Sequence, residues 1–362
     1  MTMTAAERAD FRALCRDFFA RRAGEDRLRR YLETPAPGFD QELWKDIGEL
    51  GVVLAALPEE LDGGEAGVQD LAVAAEEAGR VLQGAPLATT LAAARVLTRY
   101  GFLAGHPKIR EALEAGAVAT FPHDLGPDLA GVGPAAAGSP GADLAGEVLA
   151  HLVPDLVPGA VLVVPVRRPG GVALGIAVGD GLRVEPRSTM DLTRSFGDVT
   201  VPPGAWAGFV DDPAAAPELF HTAVALQAAE SLGVAATAFQ LTLNYAKQRH
   251  QFDRAIGSFQ AIKHRLADMY IELQCAEVAA AAAAEALDTG SDVAASVHTA
   301  KSVAGRAAAW ITSQAQQVHG GIGFTWEHVL HLYLRRAKVN ELLLGSPAVH
   351  EVQLVAALGA ER

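Results

Sequence analysis

The residues best equipped for chemistry lie together in Arg249-His-Gln251-Phe252-Asp-Arg-Ala-Ile-Gly-Ser-Phe259-Gln260. A guanidinium is permanently charged and its fork of donors suits a pyrophosphate, a glutamine amide adds neutral donors, and a phenylalanine offers a flat apolar surface. Asp253 and Gly257 punctuate a turn here, and the plain alternative is a corner between two helices with an exposed arginine. His319, His328 and His331 invite a metal reading, with the last two on one helical face, yet no carboxylate or cysteine completes a ligand set with suitable spacing. Packing or surface histidines are the expectation. The chain contains no Gly-x-Gly-x-x-Gly fingerprint, no P-loop and no Gly-x-Ser-x-Gly nucleophile elbow.

The pattern Arg-x-Gln-Phe-x-x-x-Ile-x-x-Phe-Gln, followed by Leu266-Ala267-Asp268-Met269, resembles the C-terminal signature of the acyl-CoA dehydrogenase family. Gln317-Val-His-Gly320-Gly321-Ile-Gly323-Phe324 resembles that family's Gln-x-x-Gly-Gly-x-Gly, while Pro58-Glu-Glu-Leu-Asp-Gly63-Gly64 and Glu76-Glu77-Ala-Gly79-Arg80 resemble its N-terminal helical domain. The resemblance implies an α+β multidomain fold, with an N-terminal α-helical domain over residues 1–116, a small middle β-domain over 117–212 and a C-terminal four-helix bundle over 213–362. It also implies α,β-desaturation of an acyl-CoA with FAD held at a subunit interface, the β-domain of one chain gripping the isoalloxazine and the partner's motifs holding the ADP half. The cofactor-binding set implied here is Arg249, Gln251, Phe252, Phe259, Gln260, Gln317, Gly320 and Gly321, with His319 as a further nucleotide contact. Electron-transferring flavoprotein is the acceptor the resemblance implies.

The receiving half departs from the family pattern. Where typical members carry Thr-Glu-Pro and then Trp-Ile-Thr or Trp-Ile-Ser around flavin and thioester, this chain has Phe121-Pro122-His123-Asp124 and Ala150-His151-Leu152-Val153. Proton abstraction at the α-carbon needs a desolvated base within hydrogen-bond reach, in most members the Glu of Tyr-Glu-Gly-Thr. Counted from Gly321, that tetrapeptide falls on Leu343-Leu344-Gly345-Ser346, so the base position is Leu344. The alternative seat used by a minority of members falls on Ala223, with its neighbouring arginine replaced by Val224. Glu230, two turns further along the same helix, is the remaining catalytic candidate, although a solvated or interface role is the expectation for it; Glu341 and Glu351 flank the lost tetrapeptide. A chain that keeps the donated half and lacks the receiving half is similar to the companion subunits of actinobacterial α2β2 acyl-CoA dehydrogenases acting on bulky steroid-CoA thioesters. The alternatives are a self-sufficient homotetramer using Glu230 and a flavin-free structural or regulatory homologue.

These groups need a scaffold, and 362 residues suit two or three packed units. Residues 5–33 read as one long charged helix, Asp40 as the N-cap of a short one carrying Leu43, Trp44 and Ile47, and further helices follow over 68–82, in two segments bounded by Pro86 and Gly101, and over 107–115. From 118 to 209 proline and glycine become dense and β-branched runs at 161–166, 172–178 and 199–201 predict strands, with a loop over 131–146. Asp191-Leu-Thr-Arg194 reads as the end of this domain. Helices follow over 221–248, 258–288, 291–318 and 326–343, then a short tail. Cys15 and Cys275 make no disulfide framework. A net charge of −13 argues against a nucleic-acid partner, and the lack of a charge-free apolar run or a signal-peptide core predicts a cytoplasmic protein without a membrane span.

Overall fold

The computed structural model describes residues 3–33, 39–58, 63–124, 146–168 and 171–360. Residues 59–62 of the first N-terminal motif and nearly all of the loop expected over 131–146 lie outside the described residues. Eight helices open the chain: α1 Ala5–Arg22, α2 Glu25–Glu33, α3 Gln41–Glu49, α4 Val52–Ala55, α5 Val68–Arg80, α6 Leu87–Arg99, α7 Phe102–Gly105 and α8 Pro107–Glu114. The single helix expected over 5–33 is broken at Ala23-Gly24, so α1 and α2 are separate. Asp40 does cap α3, accepting from the Leu43 amide.

Helix α1 buries only Cys15 and Phe19. Its attachment is instead ionic: Arg8, Arg12 and Arg16, at four-residue spacing on one face, reach Asp70, Glu76 and Glu77 of α5. The acidic pair of the Glu-Glu-Ala-Gly-Arg motif therefore has a structural job.

Two small sheets form the middle of the chain: β1 Ala119–Thr120, β2 Val148–Pro154, β3 Val161–Arg168, β4 Gly171–Val178, β5 Arg183–Arg187, β6 Phe196–Val201 and β7 Trp206–Val210. Their strand orders are β1-β3-β4-β7 and β2-β6-β5. Asp191-Leu-Thr-Arg194 does not close this region; it links β5 to β6, and β7 follows. Strand β2 is bulged between Ala150 and Val153, where the family's aromatic segment was expected.

The remainder is helical. Helix α9 Ala215–Gln248 runs into a hairpin of β8 His250–Gln251 and β9 Arg254–Ala255, followed by α10 Gln260–Thr289, α11 Val293–His319, α12 Leu330–Leu342 and α13 Pro347–Ala360. Three helices are long, at 34, 30 and 27 residues; the fourth starts at Leu330, because residues 320–324 form a 3-10 turn, and the expected tail is helix α13. Helix α9 is apolar and long enough to span a membrane, but its most apolar window is 83% buried inside the fold.

Helices α5 and α9 meet backbone to backbone. A methyl group on Gly79 would collide with the Glu230 carbonyl, and one on Gly233 with that of Glu76. Alanines at 74, 75, 78, 225, 228 and 229 line the same crossing and are buried. At the far end the Val68 and Gln69 amides donate to the Asp288 carboxylate of α10, at 2.6 and 3.0 Å, fixing the first helical layer to the bundle.

Candidate functional site

The two segments singled out for binding lie at one end of the bundle, after α9 and after α11. The hairpin turns on Phe252-Asp253, with φ of 53° and 62°, the left-handed pair that a two-residue hairpin needs. A phenylalanine there is strained, on the order of 1 kcal/mol. The strain holds the Phe252 ring 87% exposed. Phe259 stands edge-on to it at 6.2 Å and carries the Arg254 guanidinium 4.0 Å above its face. Arg249, Gln251 and Gln260 are exposed, and no described residue forms an ion pair with Arg249 or Arg254.

The second segment is built the same way. Gln317, Gly320 and Gly321 are exposed. Gly320 has φ of 64°, so its backbone demands glycine. Gly321 has neither a left-handed φ nor any atom within 4 Å of an added Cβ. Nothing inside the chain requires glycine at 321, whereas close approach of another molecule would. Phe324 and Trp326 stand 66% and 61% exposed beside it. The segments are coupled through Tyr245, one turn before Arg249, which stacks on His319 at 4.3 Å. His319 is 4% exposed and its Nδ1 faces the Ala315 carbonyl at 2.8 Å; it supports the turn from behind instead of reaching outward as expected. His328 lies in the turn before α12, with its Nδ1 accepting from the Leu330 amide, so it shares no helical face with His331, which is buried under Trp326.

The other candidate region is closed. Phe121 and His123 are 1% and 5% exposed. The His123 amide donates to the Leu152 carbonyl at 3.2 Å, and the Leu344 amide donates to the His123 carbonyl at 2.9 Å. Leu152 and Leu344 both adopt left-handed φ, 49° and 59°. Three segments distant in sequence are thereby sewn together where flavin ring, thioester and base were sought. Leu344 itself is 1% exposed. The cavity left between Phe121, His123, Gln227, Glu230 and Arg336 has a volume of about 30 Å³, room for one or two waters, against about 300–1,000 Å³ for a ligand site. Burial pushes the His123 ring down to about 3, leaving it neutral.

Glu230 is not solvated as expected. It is 7% exposed, ion-paired with Arg336 and 3.5 Å from Arg194. Arg336, fully buried, also donates through Nε to Asp191 at 2.5 Å, and through Nη2 to Thr193 Oγ1 and the Gln83 carbonyl. Burial would raise the Asp191 carboxyl, but Arg336 and Arg194 overcome it and hold it at about 2. Asp191-Leu-Thr-Arg194 is thus a bolt between the β-region and the bundle. The sequence singles out that motif but not Arg336, which is one of two adjacent arginines in α12 with nothing local to mark it from Arg335. Lys301 was missed too: it is 1% exposed, donates to the Gln227 side chain and the Asn340 carbonyl, and burial brings its ammonium down to about 7. Glu341 pairs with Lys338 and Glu351 with Arg306, so both flanking carboxylates are engaged elsewhere. Ala223 and Val224 are buried in α9.

The residues present therefore fit the ADP half of FAD on the outer segments and do not fit an isoalloxazine in the closed region. Among the described residues no group of three or more His, Cys, Asp or Glu is arranged to hold a metal.

Comparison with known proteins agrees with the resemblance. The acyl-CoA dehydrogenase C-terminal domain matches residues 214–359 and the N-terminal domain residues 5–105. Acyl-CoA dehydrogenase IpdE2 of Mycolicibacterium smegmatis is 33% identical over 327 residues, covering 90% of each chain. Among solved structures, a variant of the Tcur3481-Tcur3483 steroid ACAD superposes with a TM-score of 0.87 at 28% identity over 98% of both chains. The ChsE4-ChsE5 complex from Mycobacterium tuberculosis gives 0.83 at 25% identity over 99% of this chain and 98% of the other. Since sequence identity, matched domains and fold agree over nearly the whole length, the chain belongs to the acyl-CoA dehydrogenase family, whose members are FAD-dependent flavoproteins.

Proposed function

We propose that this chain is a non-catalytic subunit of a heteromeric acyl-CoA dehydrogenase. It lends Arg249, Gln251, Phe252, Phe259, Gln260, Gln317, Gly320 and Gly321 to the ADP half of an FAD seated in a homologous partner. Bound FAD would supply the hydride acceptor for α,β-desaturation in the partner's site; this chain contributes grip and assembly. A guanidinium with no ion pair among the described residues and a bare glycine backbone are suited to a pyrophosphate approaching from outside.

The observation that carries this reading is the contrast between exposed binding segments and a closed interior with Leu344 at the family's base position. A leucine takes no proton. Glu230, the other candidate, is engaged by Arg336 and Arg194 beside a cavity of only about 30 Å³, too small to bring a thioester to it. The steroid ACAD and the ChsE4-ChsE5 complex, both similar over nearly the whole chain, supply the precedent for a two-chain assembly and a bulky acyl-CoA as substrate. Electron-transferring flavoprotein as acceptor and a cytoplasmic setting follow from the same family resemblance.

Co-expression with a homologous acyl-CoA dehydrogenase chain as the candidate partner, followed by the visible spectrum and a desaturation assay, tests the proposal. Flavin and activity are expected in the mixed complex and in neither chain alone. A purified homo-oligomer of this chain that desaturates acyl-CoA, with turnover abolished by Glu230→Gln, would sink it.

A further inference from the structure

The sheet β1-β3-β4-β7 and the helices that precede it touch closely at one point and part beside it. Where α7 turns into α8, the His106 ring lies flat on Phe102 with centroids 3.8 Å apart, and its Nδ1 faces the Phe102 carbonyl at 2.8 Å. A methyl group on Gly208 of β7 would meet His106 Nε2 at 2.7 Å, so the corner is pressed against the strand. Beyond that contact Ala112 of α8 and Ala207 of β7 are too short to fill the space between the layers, and a Cβ added at Gly105 meets nothing within 4 Å. The result is an open groove of about 490 Å³, floored by the cross-strand pair Val161 and Val178 and walled by Ile109, Ala112 and Ala207. Small residues at the α5–α9 crossing let two backbones meet; here they leave room, on the scale of a ligand site, where the closed region has about 30 Å³.

The charges of the groove indicate its occupant. Lys108 is the one lining residue with a formal charge; it is exposed and forms no ion pair among the described residues. Its amide belongs to the first turn of α8, which opens on Pro107 and has no side-chain cap, so the positive end of the helix stands at the same place as the ammonium. The acids of that helix, Glu111 and Glu114, do not line the groove. One cationic end on an otherwise apolar trough complements a molecule with one anionic end and an apolar body. We propose that this groove binds a small apolar monocarboxylate, its head at Lys108 and the first turn of α8 and its body along Val161, Val178 and Ala207. None of its lining residues belongs to the exposed flavin segments or to the closed region, so the site is separate from the function proposed above.

Calorimetric titration of the full-length chain with sodium decanoate and, separately, with decyltrimethylammonium tests this, each below its micelle-forming concentration. The two share a tail and differ in the sign of the head. A net charge of −13 draws the cation to the protein as a whole, so a preference for decanoate has to come from the groove's own charges. One saturable site for decanoate is expected, and none for the cation. Lys108→Glu should weaken decanoate binding on the order of tenfold, and Ala207→Trp, which fills the groove from an exposed strand position, should abolish it, both variants keeping the wild-type unfolding midpoint. Equal binding of the cation, or decanoate binding that both variants leave unchanged, overturns the proposal. So does the lack of any saturable binding, the result expected if a partner chain or another segment of this chain fills the groove. Flavin retention by the co-expressed complex is read independently of all these outcomes.

Discussion

The bundle end bearing Phe252 and Gly321 and the closed region around His123 and Arg336 obey opposite rules. At the first, charged and aromatic groups stand in solvent, backbone strain is tolerated to keep a ring exposed, and a glycine remains that the chain's own packing does not need. At the second, the charges around Arg336 are paired, and two strained leucines serve to bring backbone amides and carbonyls into register. Strain that projects a side chain outward serves an encounter; strain that ties three distant segments together serves the fold.

The sharpest way to break the comparison is at Arg336. Arg336→Met leaves the buried Asp191 and Glu230 carboxylates to share Arg194 alone and should cost about 3–5 kcal/mol in urea unfolding. A loss below 1 kcal/mol would mean that region is far wetter than described. Leu344→Glu, which places a carboxylate where the family's base is proposed to fall, buries it at a cost of about 2–4 kcal/mol and yields no desaturation by the chain alone. Gain of activity in that variant would show the interior admits substrate after all.

Acid should act on the interior first. Burial holds His123, His221 and His350 at about 3, 4 and 4 instead of 6.5. Unfolding lets these rings bind protons, so their contribution is fully present above pH 6.5 and is lost as pH falls toward 4. Asp155, raised by burial from 3.8 to about 6, works in the opposite sense across that range, one group against three. The urea midpoint at pH 5 should therefore lie below that at pH 7, by about 1–3 kcal/mol of stability. Equal midpoints would contradict the neutral, buried rings.

At the outer end the effects invert. Arg249→Ala and Phe252→Ala should leave unfolding within about 0.5 kcal/mol of wild type, while each weakens flavin retention by the co-expressed complex about tenfold or more. Gly321→Ala gives the smallest stability change of all, because an added methyl meets nothing, yet flavin retention should still fall. Gly233→Ala, the same substitution at the α5–α9 crossing, should cost about 1–3 kcal/mol. Flavin retention unchanged in all three outer variants would remove them from the binding surface.

What the chain's sequence determined by itself was local: the Arg-x-Gln-Phe and Gly-Gly segments, the Asp40 cap, and the strands at 161–168 and 171–178 each follow from residues a few positions apart. It also carries the motif count that underlies the proposed loss of a base at Leu344, a side chain that cannot accept a proton in any conformation. The tertiary structure alone decided the rest. The segment that delays α12, whose Trp326 and Glu327 carbonyls accept from Arg29, and the fate of Glu230 depend on partners far along the chain; Asp191 and Arg336 are separated by 145 residues. A buried ion pair leaves no periodic trace in sequence, because its geometry is set by how helices and sheets pack and not by the spacing of the residues that form it.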